Sequence, residues 1–292
     1  MLAFVLLALA VVGVSTLVWT TAGLLRVLSH RMPASRALPS GRRVEPGDVA
    51  ILVAAHDEEL TIRATIRSAF GQVAPGQVCI VSDGSHDGTV AVAEQAGAEV
   101  LDLQPNRGKA GALVAGIRHF RLAERFEVVL LLDADTQLDD AYMTSGLPLF
   151  DDPEVVAVAG RATTLVDPRP VSFMGRLLVA YRERVYVVMQ YLYKFGQAAR
   201  FANVVAIVPG FASMYRTRIL AEVDIDVPGL AIEDYNMTFE VHAKRLGRIA
   251  FDPRAAIART QDPVRGPEDT HLTPLLSGPA ICLHRRAGTT AV

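Results

Sequence analysis

Four short apolar runs recur along the first half of the chain, each separated from the next by a stretch with helical periodicity, and this alternation constrains the fold more than any other feature. The runs 49–55, 78–81, 99–103 and 128–132 have the length of strands, and the segments 58–70, 87–95 and 109–120 between them read as helices, with apolar residues near threes and fours in the first. Strands alternating with helices fold as right-handed crossovers onto a parallel sheet. A run such as Val128-Val129-Leu130-Leu131-Leu132 has no polar alternation, so it is expected to be buried on both faces. Polar residues at its end then project from the carboxyl edge, where open α/β sheets bind ligands. Asp133-Ala134-Asp135 closes that run. Two hard oxygen ligands two residues apart suit a divalent cation such as Mg²⁺ or Mn²⁺, which would in turn hold a diphosphate. Taken alone, the tripeptide reads equally as a solvated turn or a helix cap.

Hydrophobic residues make up 51% of the 292, and the excess is concentrated at the start. Residues 1–25 carry no charge, and about 25 residues of helix at about 1.5 Å each exceed the roughly 30 Å core of a bilayer. A transmembrane anchor is therefore expected over 1–25. A cleaved signal peptide is the competing reading, but it would carry a basic lead and a shorter apolar stretch. Arg26, Arg31, Arg36, Arg42 and Arg43 follow, so 26–48 reads as a basic linker and the positive-inside rule puts what comes after it in the cytoplasm. The expectation is a single-pass protein of the inner or plasma membrane with the domain that follows the anchor cytoplasmic. An α/β domain is expected over 49–262, and 263–292 reads as an irregular tail, whether a natural end or a truncation. A net charge of -2 without an aromatic and basic stripe argues against a nucleic acid partner. Cys79 and Cys282 match neither a disulfide framework nor a zinc cluster, which fits a reducing compartment.

Beyond Pro153 the pattern loosens to a strand over 155–162 and a long amphipathic segment over 171–195. Phe173, Leu177, Leu178, Tyr181, Val185, Val188 and Leu192 recur there at threes and fours, with Arg176, Arg182, Glu183, Arg184 and Lys194 between them. Such a helix suits either the membrane interface or the face of the sheet. A helix over 233–246 and a strand over 248–251 complete the domain.

Five segments, Asp133-Ala134-Asp135 among them, carry residues suited to chemistry. They are Val53-Ala54-Ala55-His56-Asp57-Glu58-Glu59, Val81-Ser82-Asp83-Gly84-Ser85-His86-Asp87-Gly88-Thr89, Asn106-Arg107-Gly108-Lys109-Ala110-Gly111, Asp133-Ala134-Asp135, and Ala231-Ile232-Glu233-Asp234-Tyr235-Asn236. Each has an ordinary structural reading. Glu58-Glu59 and Glu233-Asp234 suit the positive end of a helix, Asp87 suits an N-cap, and Lys109 suits a solvated helix start. The third segment lacks the spacing of a phosphate-binding P-loop.

Together, in this order and spacing, the segments resemble the family 2 glycosyltransferases of the GT-A fold, especially the membrane-bound synthases of cellulose, hyaluronan, chitin and poly-N-acetylglucosamine. The resemblance covers roughly residues 49–259. It implies a Rossmann-like, mostly parallel sheet flanked by helices, a nucleotide-sugar donor, most plausibly UDP-linked, and a glycan or polyprenyl-phosphate acceptor at a membrane. Ala55, His56 and Glu58 would lie under the nucleotide, Asp83 would contact the base, and Lys109 would face the diphosphate. Asp133 would sit near the ribose or the metal, with Asp135 a direct ligand of Mg²⁺ or Mn²⁺. Glu233 and Asp234 would form the catalytic pair, Asp234 being the general base of an inverting displacement. Gly210, Phe211, Ala212 and Ser213, in Val208-Pro209-Gly210-Phe211-Ala212-Ser213, would line the acceptor site. The resembling synthases also carry a Gln-x-x-Arg-Trp motif and channel helices beyond the Glu-Asp pair. Neither is present in these 292 residues, which leaves processive synthesis and export without a sequence basis. Two other functions stay open: a catalytically impaired UDP-binding homologue or partner subunit, and a nucleotidyltransferase, which would leave Glu233-Asp234 without a role.

Overall fold

The computed structural model describes residues 13–29, 42–165, 173–227, 229 and 232–260. In chain order the elements are α1 (Val14–Leu28), β1 (Val49–Ala55), α2 (Ile62–Phe70), β2 (Val78–Asp83), α3 (Thr89–Ala96), β3 (Glu99–Leu103), α4 (Gly108–His119), α5 (Leu122–Arg125), β4 (Val128–Asp133) and β5 (Thr136–Leu138). They continue with α6 (Tyr142–Gly146), β6 (Val155–Val158), β7 (Arg161–Thr164), α7 (Phe173–Val188), β8 (Ala212–Arg216), α8 (Thr217–Leu220), α9 (Glu233–Ala243), β9 (Arg248–Ala250) and β10 (Ile257–Thr260).

The main sheet has the order β3-β2-β1-β4-β8-β6-β9. β1, β2, β3 and β4 run parallel, whereas β8 lies antiparallel between β4 and β6. The apolar run of β1 is sorted by its two-residue period: Ile51 and Val53 join the cluster under α2, while Ala50 and Leu52 join the one under α4 and α9. The same division holds in β4, with Leu130 and Leu132 on one side and Val129 and Leu131 on the other. Strands buried on both faces are thus covered by helices on both, as the absence of polar alternation requires.

Several boundaries differ from expectation. The strand expected over 155–162 is two strands in different sheets, since β6 pairs with β8 and β9 while β7 pairs with β10. β5, β10 and β7 form a second, three-stranded sheet whose first strand starts immediately after Asp135. The helix expected from residue 58 starts at Ile62, after a turn closed by Ile62 N–H on the Glu58 carbonyl. α7 runs on through a π-helical stretch, Met189–Lys194, into a last turn, Phe195–Gln197. Of the expected anchor, only residues from 13 onward fall within the described part. There α1 is a helix of 15 residues, about 22 Å at about 1.5 Å per residue. Among the described residues no helix is long and apolar enough to cross a membrane. Residues 1–12, most of the linker and the tail lie outside the described residues.

Arg216, at the end of β8, is nearly buried and joins the two halves of the main sheet. Its Nε donates to the Val155 carbonyl at 2.9 Å, its Nη2 donates to the Phe150 carbonyl at 2.8 Å, and its Nη1 pairs with Glu127. Arg216→Met leaves those acceptors without donors and is expected to cost about 3 kcal/mol. A urea midpoint unchanged from the parent would show that water replaces the guanidinium without loss.

Candidate active site

Lys109, Asp133 and Glu233 come from three distant segments and meet at one ammonium. Lys109 is the second residue of α4, Asp133 ends β4, and Glu233 opens α9. The Lys109 Nζ lies 2.7 Å from Asp133 Oδ1 and 3.0 Å from Glu233 Oε1. Burial opposes charge on Lys109, but Asp133, Glu233 and Asp234 outweigh it and hold the ammonium charged well above the ordinary lysine range. Each acid on α9 also sits at the positive end of a helix, which favours a carboxylate there.

Asp234 is set from below. The Gly210 N–H donates to its Oδ2 at 2.6 Å. A Cβ at residue 210 would lie 2.2 Å from Asp234 Oδ1, so only glycine allows this approach. The next residue ties the other side, since Asp133 N–H donates to the Phe211 carbonyl at 2.9 Å. Burial pushes the Asp234 carboxyl up to about 6, with Lys109 pulling it down and Glu233 pushing it up. Asp135 is also raised to about 6, chiefly by burial and then by the charges of Asp133 and Glu58. Asp133 therefore lies in the field of both Asp135 and Asp234.

The turn holding Asp135 is anchored by Thr65, whose hydroxyl donates to the Ala134 carbonyl at 2.7 Å. Four carboxylates, those of Asp133, Asp135, Glu233 and Asp234, stand here against one lysine ammonium. Among the described residues no group of three or more His, Cys, Asp or Glu is arranged to hold a metal ion by itself. Asp133 and Asp135 are a partial donor set, of the kind a hard cation completes with oxygens from a bound phosphate.

Asp83 and His56 belong to an adjoining network built from the loops after β1 and β2 and before α4. The buried Asp83 carboxylate accepts the Arg107 N–H at 2.7 Å through Oδ1, and among the described residues its Oδ2 receives no hydrogen bond. The Asp83 carbonyl is 2.7 Å from His56 Nδ1 and accepts from Asn106 Nδ2 at 2.8 Å. Asp57 accepts the His86 N–H at 2.8 Å, and Glu59 accepts that of Gly88 at 3.0 Å, lacing the first two loops together. Glu58 accepts the Thr61 hydroxyl at 2.6 Å, as a helix-start acid does. Ala55 is buried at the end of β1.

Two expected acceptor residues do not reach the surface. Ala212 and Ser213 are fully buried in β8, and the Ser213 hydroxyl is occupied by the Pro209 carbonyl and the Gly160 N–H. β8 is a central strand of the sheet, which leaves Gly210 and Phe211 as the part of this stretch nearest Asp234. Two residues without an assigned part in the motifs also shape the site. Asn106 orders the approach to Lys109 by accepting the Gly108 N–H at 3.0 Å, a turn that Asn-x-Gly encodes locally. Lys194, at the end of the π-helical stretch, has its amine pushed down to about 7 by burial, with Asp234 acting in the opposite direction. No sequence signal marks it. Two surface cavities of about 550 and 590 Å³ lie beside α4 and beside the end of α9, and neither is lined by the four carboxylates.

The sequence model described as glycosyl transferase family 2 matches residues 50–224. The chain is 25% identical over 219 residues to a poly-beta-1,6-N-acetyl-D-glucosamine synthase of Staphylococcus epidermidis, across 71% of this chain and 48% of that protein. It is 26% identical over the same length to the Staphylococcus aureus (strain COL) protein of that name. The chain thus spans about half the length of these relatives. In fold it is similar to the mannosyltransferase PcManGT of Pyrobaculum calidifontis, solved with GDP-Man and Mn²⁺, at a TM-score of 0.52, 19% identity and coverage of 86% and 68% of the two chains. It is also similar to S. aureus TarS, at a TM-score of 0.54, 18% identity and coverage of 74% and 37%.

The raised Asp234 carboxyl has a consequence for stability. Folded, it binds its proton more tightly than the ordinary value of 3.8 allows unfolded, so charging it weakens folding as pH rises from about 4 through 6. Asp234→Asn keeps an oxygen for the Gly210 N–H and removes that charge. Its thermal midpoint is expected above the parent's near pH 7.5 and level with it near pH 4; a gain that does not shrink in acid would place the strain elsewhere.

Proposed function

The chain belongs to glycosyl transferase family 2, and from that membership and the geometry around Lys109 we propose an inverting transfer of sugar from a UDP-linked donor to a membrane-associated acceptor, a glycan hydroxyl or a polyprenyl phosphate. The observation that carries this reading is the single ammonium holding the end of β4 against the start of α9. It sets donor-side and acceptor-side carboxylates around one centre.

Inversion takes one in-line displacement, so a base must accept the attacking hydroxyl's proton on the face opposite the leaving diphosphate. Asp234 suits that role. Its Oδ2 is held by the Gly210 N–H and its pKa of about 6 leaves it charged at neutral pH yet basic enough to take a proton. Glu233 keeps Lys109 in place beside it. The free Asp83 oxygen is an acceptor for an imide N–H such as that of uracil, and the His56 ring stands against the same turn. Phe211 offers an apolar surface to a sugar ring. Four carboxylates against one ammonium repel a diphosphate, which supports a divalent cation at Asp133 and Asp135. Mg²⁺ or Mn²⁺ there would neutralise charge on the leaving group. A homologue that only binds nucleotide leaves the held base without use. Residues 1–25 serve in this reading as the anchor, with the catalytic domain on the cytoplasmic side of the cell membrane.

The decisive experiment is product formation from UDP-sugars by membranes carrying the intact chain, with and without Mn²⁺. Turnover is expected only with the metal, and Asp234→Asn is expected to keep UDP affinity while losing transfer about 1,000-fold or more. Near-normal transfer by that variant would remove Asp234 as the base. Gly210→Ala drives a methyl group into Asp234 Oδ1 and is expected to lower kcat about 100-fold at unchanged UDP affinity, as a displaced base does. An equal loss in UDP affinity would place residue 210 on the donor side instead.

A further inference from the structure

α7 is turned inside out compared with a helix on a water-soluble domain. Glu183 on the helix and Gln190 just beyond it are turned to the protein, while Arg176 and Arg184 are exposed. The Glu183 carboxylate accepts the Thr164 N–H at 3.0 Å, and just beyond the helix the buried Gln190 both accepts the Ala162 N–H and donates to the Ala162 carbonyl, each at 2.8 Å. These bonds satisfy the free edge of β7. The apolar residues point the other way: Phe173 is 71% exposed, and Leu177, Tyr181, Val185 and Val188, at successive threes and fours, are exposed with it. No residue of α7 is buried. These exposed members of the stripe therefore do not pack on the sheet, while Leu178 and Leu192 are half-buried.

α1 extends this surface. A Cβ at Gly23 would lie 1.9 Å from the Leu192 carbonyl oxygen, and one at Gly196 would lie 2.0 Å from that of Trp19. The two helical segments cross backbone against backbone, within the π-helical stretch and the turn after it, and the Arg26 guanidinium caps the crossing 3.8 Å over the Phe195 ring. Of the 19 large apolar side chains exposed among the described residues, 14 lie on α1, α7 and the adjoining Met189, so the exposure is one platform rather than scattered positions.

We propose that this platform is seated in a phospholipid bilayer, with α7 lying in the headgroup and outer acyl region. The chain leading into α1, residues 1–12, is MLAFVLLALAVV, with no charged side chain and no hydrogen-bonding one. A second copy or a soluble partner would cover the platform but leave that lead-in without a medium, whereas a bilayer takes both. α7 carries Arg176, Arg182 and Arg184 against Glu183, a cationic surplus that complements anionic headgroups. This surface is argued independently of sugar transfer, and its test does not read turnover.

Trp19 is the single tryptophan of the chain, which permits a depth measurement. The full chain carrying Trp19→Phe and Tyr181→Trp is placed in phosphatidylcholine and phosphatidylglycerol vesicles, with or without brominated acyl chains. The indole introduced on α7 is expected to lose about half its fluorescence or more to the brominated lipid. One introduced instead by Glu94→Trp, on α3, is expected to lose none. Absence of quenching on α7, equal quenching at both positions, or a shielded α7 indole in a dimer detected by light scattering would each overturn the proposal.

Discussion

The charge of Lys109 is the interaction on which the rest of the site depends. An ammonium between Asp133 and Glu233 joins two carboxylates that are about 100 positions apart in the chain and would otherwise repel each other. It draws α4, β4 and α9 to one point, and the position of Asp234 follows from that of Glu233. The cost of burying acids at a sheet edge shows in the raised carboxyls of Asp135 and Asp234, with the charge of neighbouring acids adding to it. Such crowding is tolerated where a ligand relieves it, and a folding domain with no use for the acids would have little reason to keep it.

Much of this architecture was legible in the residues because it depends on local patterns. Apolar runs without alternation specified strands covered on both faces, and Asp133-Ala134-Asp135 was bound to fall at the carboxyl edge of one of them. What was not legible depends on pairing across long separations. Nothing in Ala212 or Ser213 announces that their strand inserts antiparallel between β4 and β6, so their burial was missed. The second sheet was hidden in the same way, its strands of three and four residues being too short to show a period. Periodicity identified α7 but was silent on which side of it faces the protein, because that depends on the edge of β7 it satisfies.

Two regions of the molecule therefore obey opposite rules. The sheet buries apolar residues and exposes acids, as water requires. The α7 segment turns Glu183 and Gln190 inward and its apolar stripe outward beside exposed arginines, which suits a different surrounding medium. The contact between them is direct, since the same segment that bears the platform ends at Lys194, whose amine lies 5.1 Å from the Phe251 ring and within the field of Asp234.

Gly210 and Phe211 act as a caliper. The Gly210 N–H grips the carboxylate on α9, and the Phe211 carbonyl, two peptide units along, grips the end of β4. Four soft backbone torsions, two at each residue, separate the jaws, so their spacing holds only while both hydrogen bonds are made. A shift of α9 against the sheet is therefore passed from Asp234 to the backbone of Asp133 through a single dipeptide.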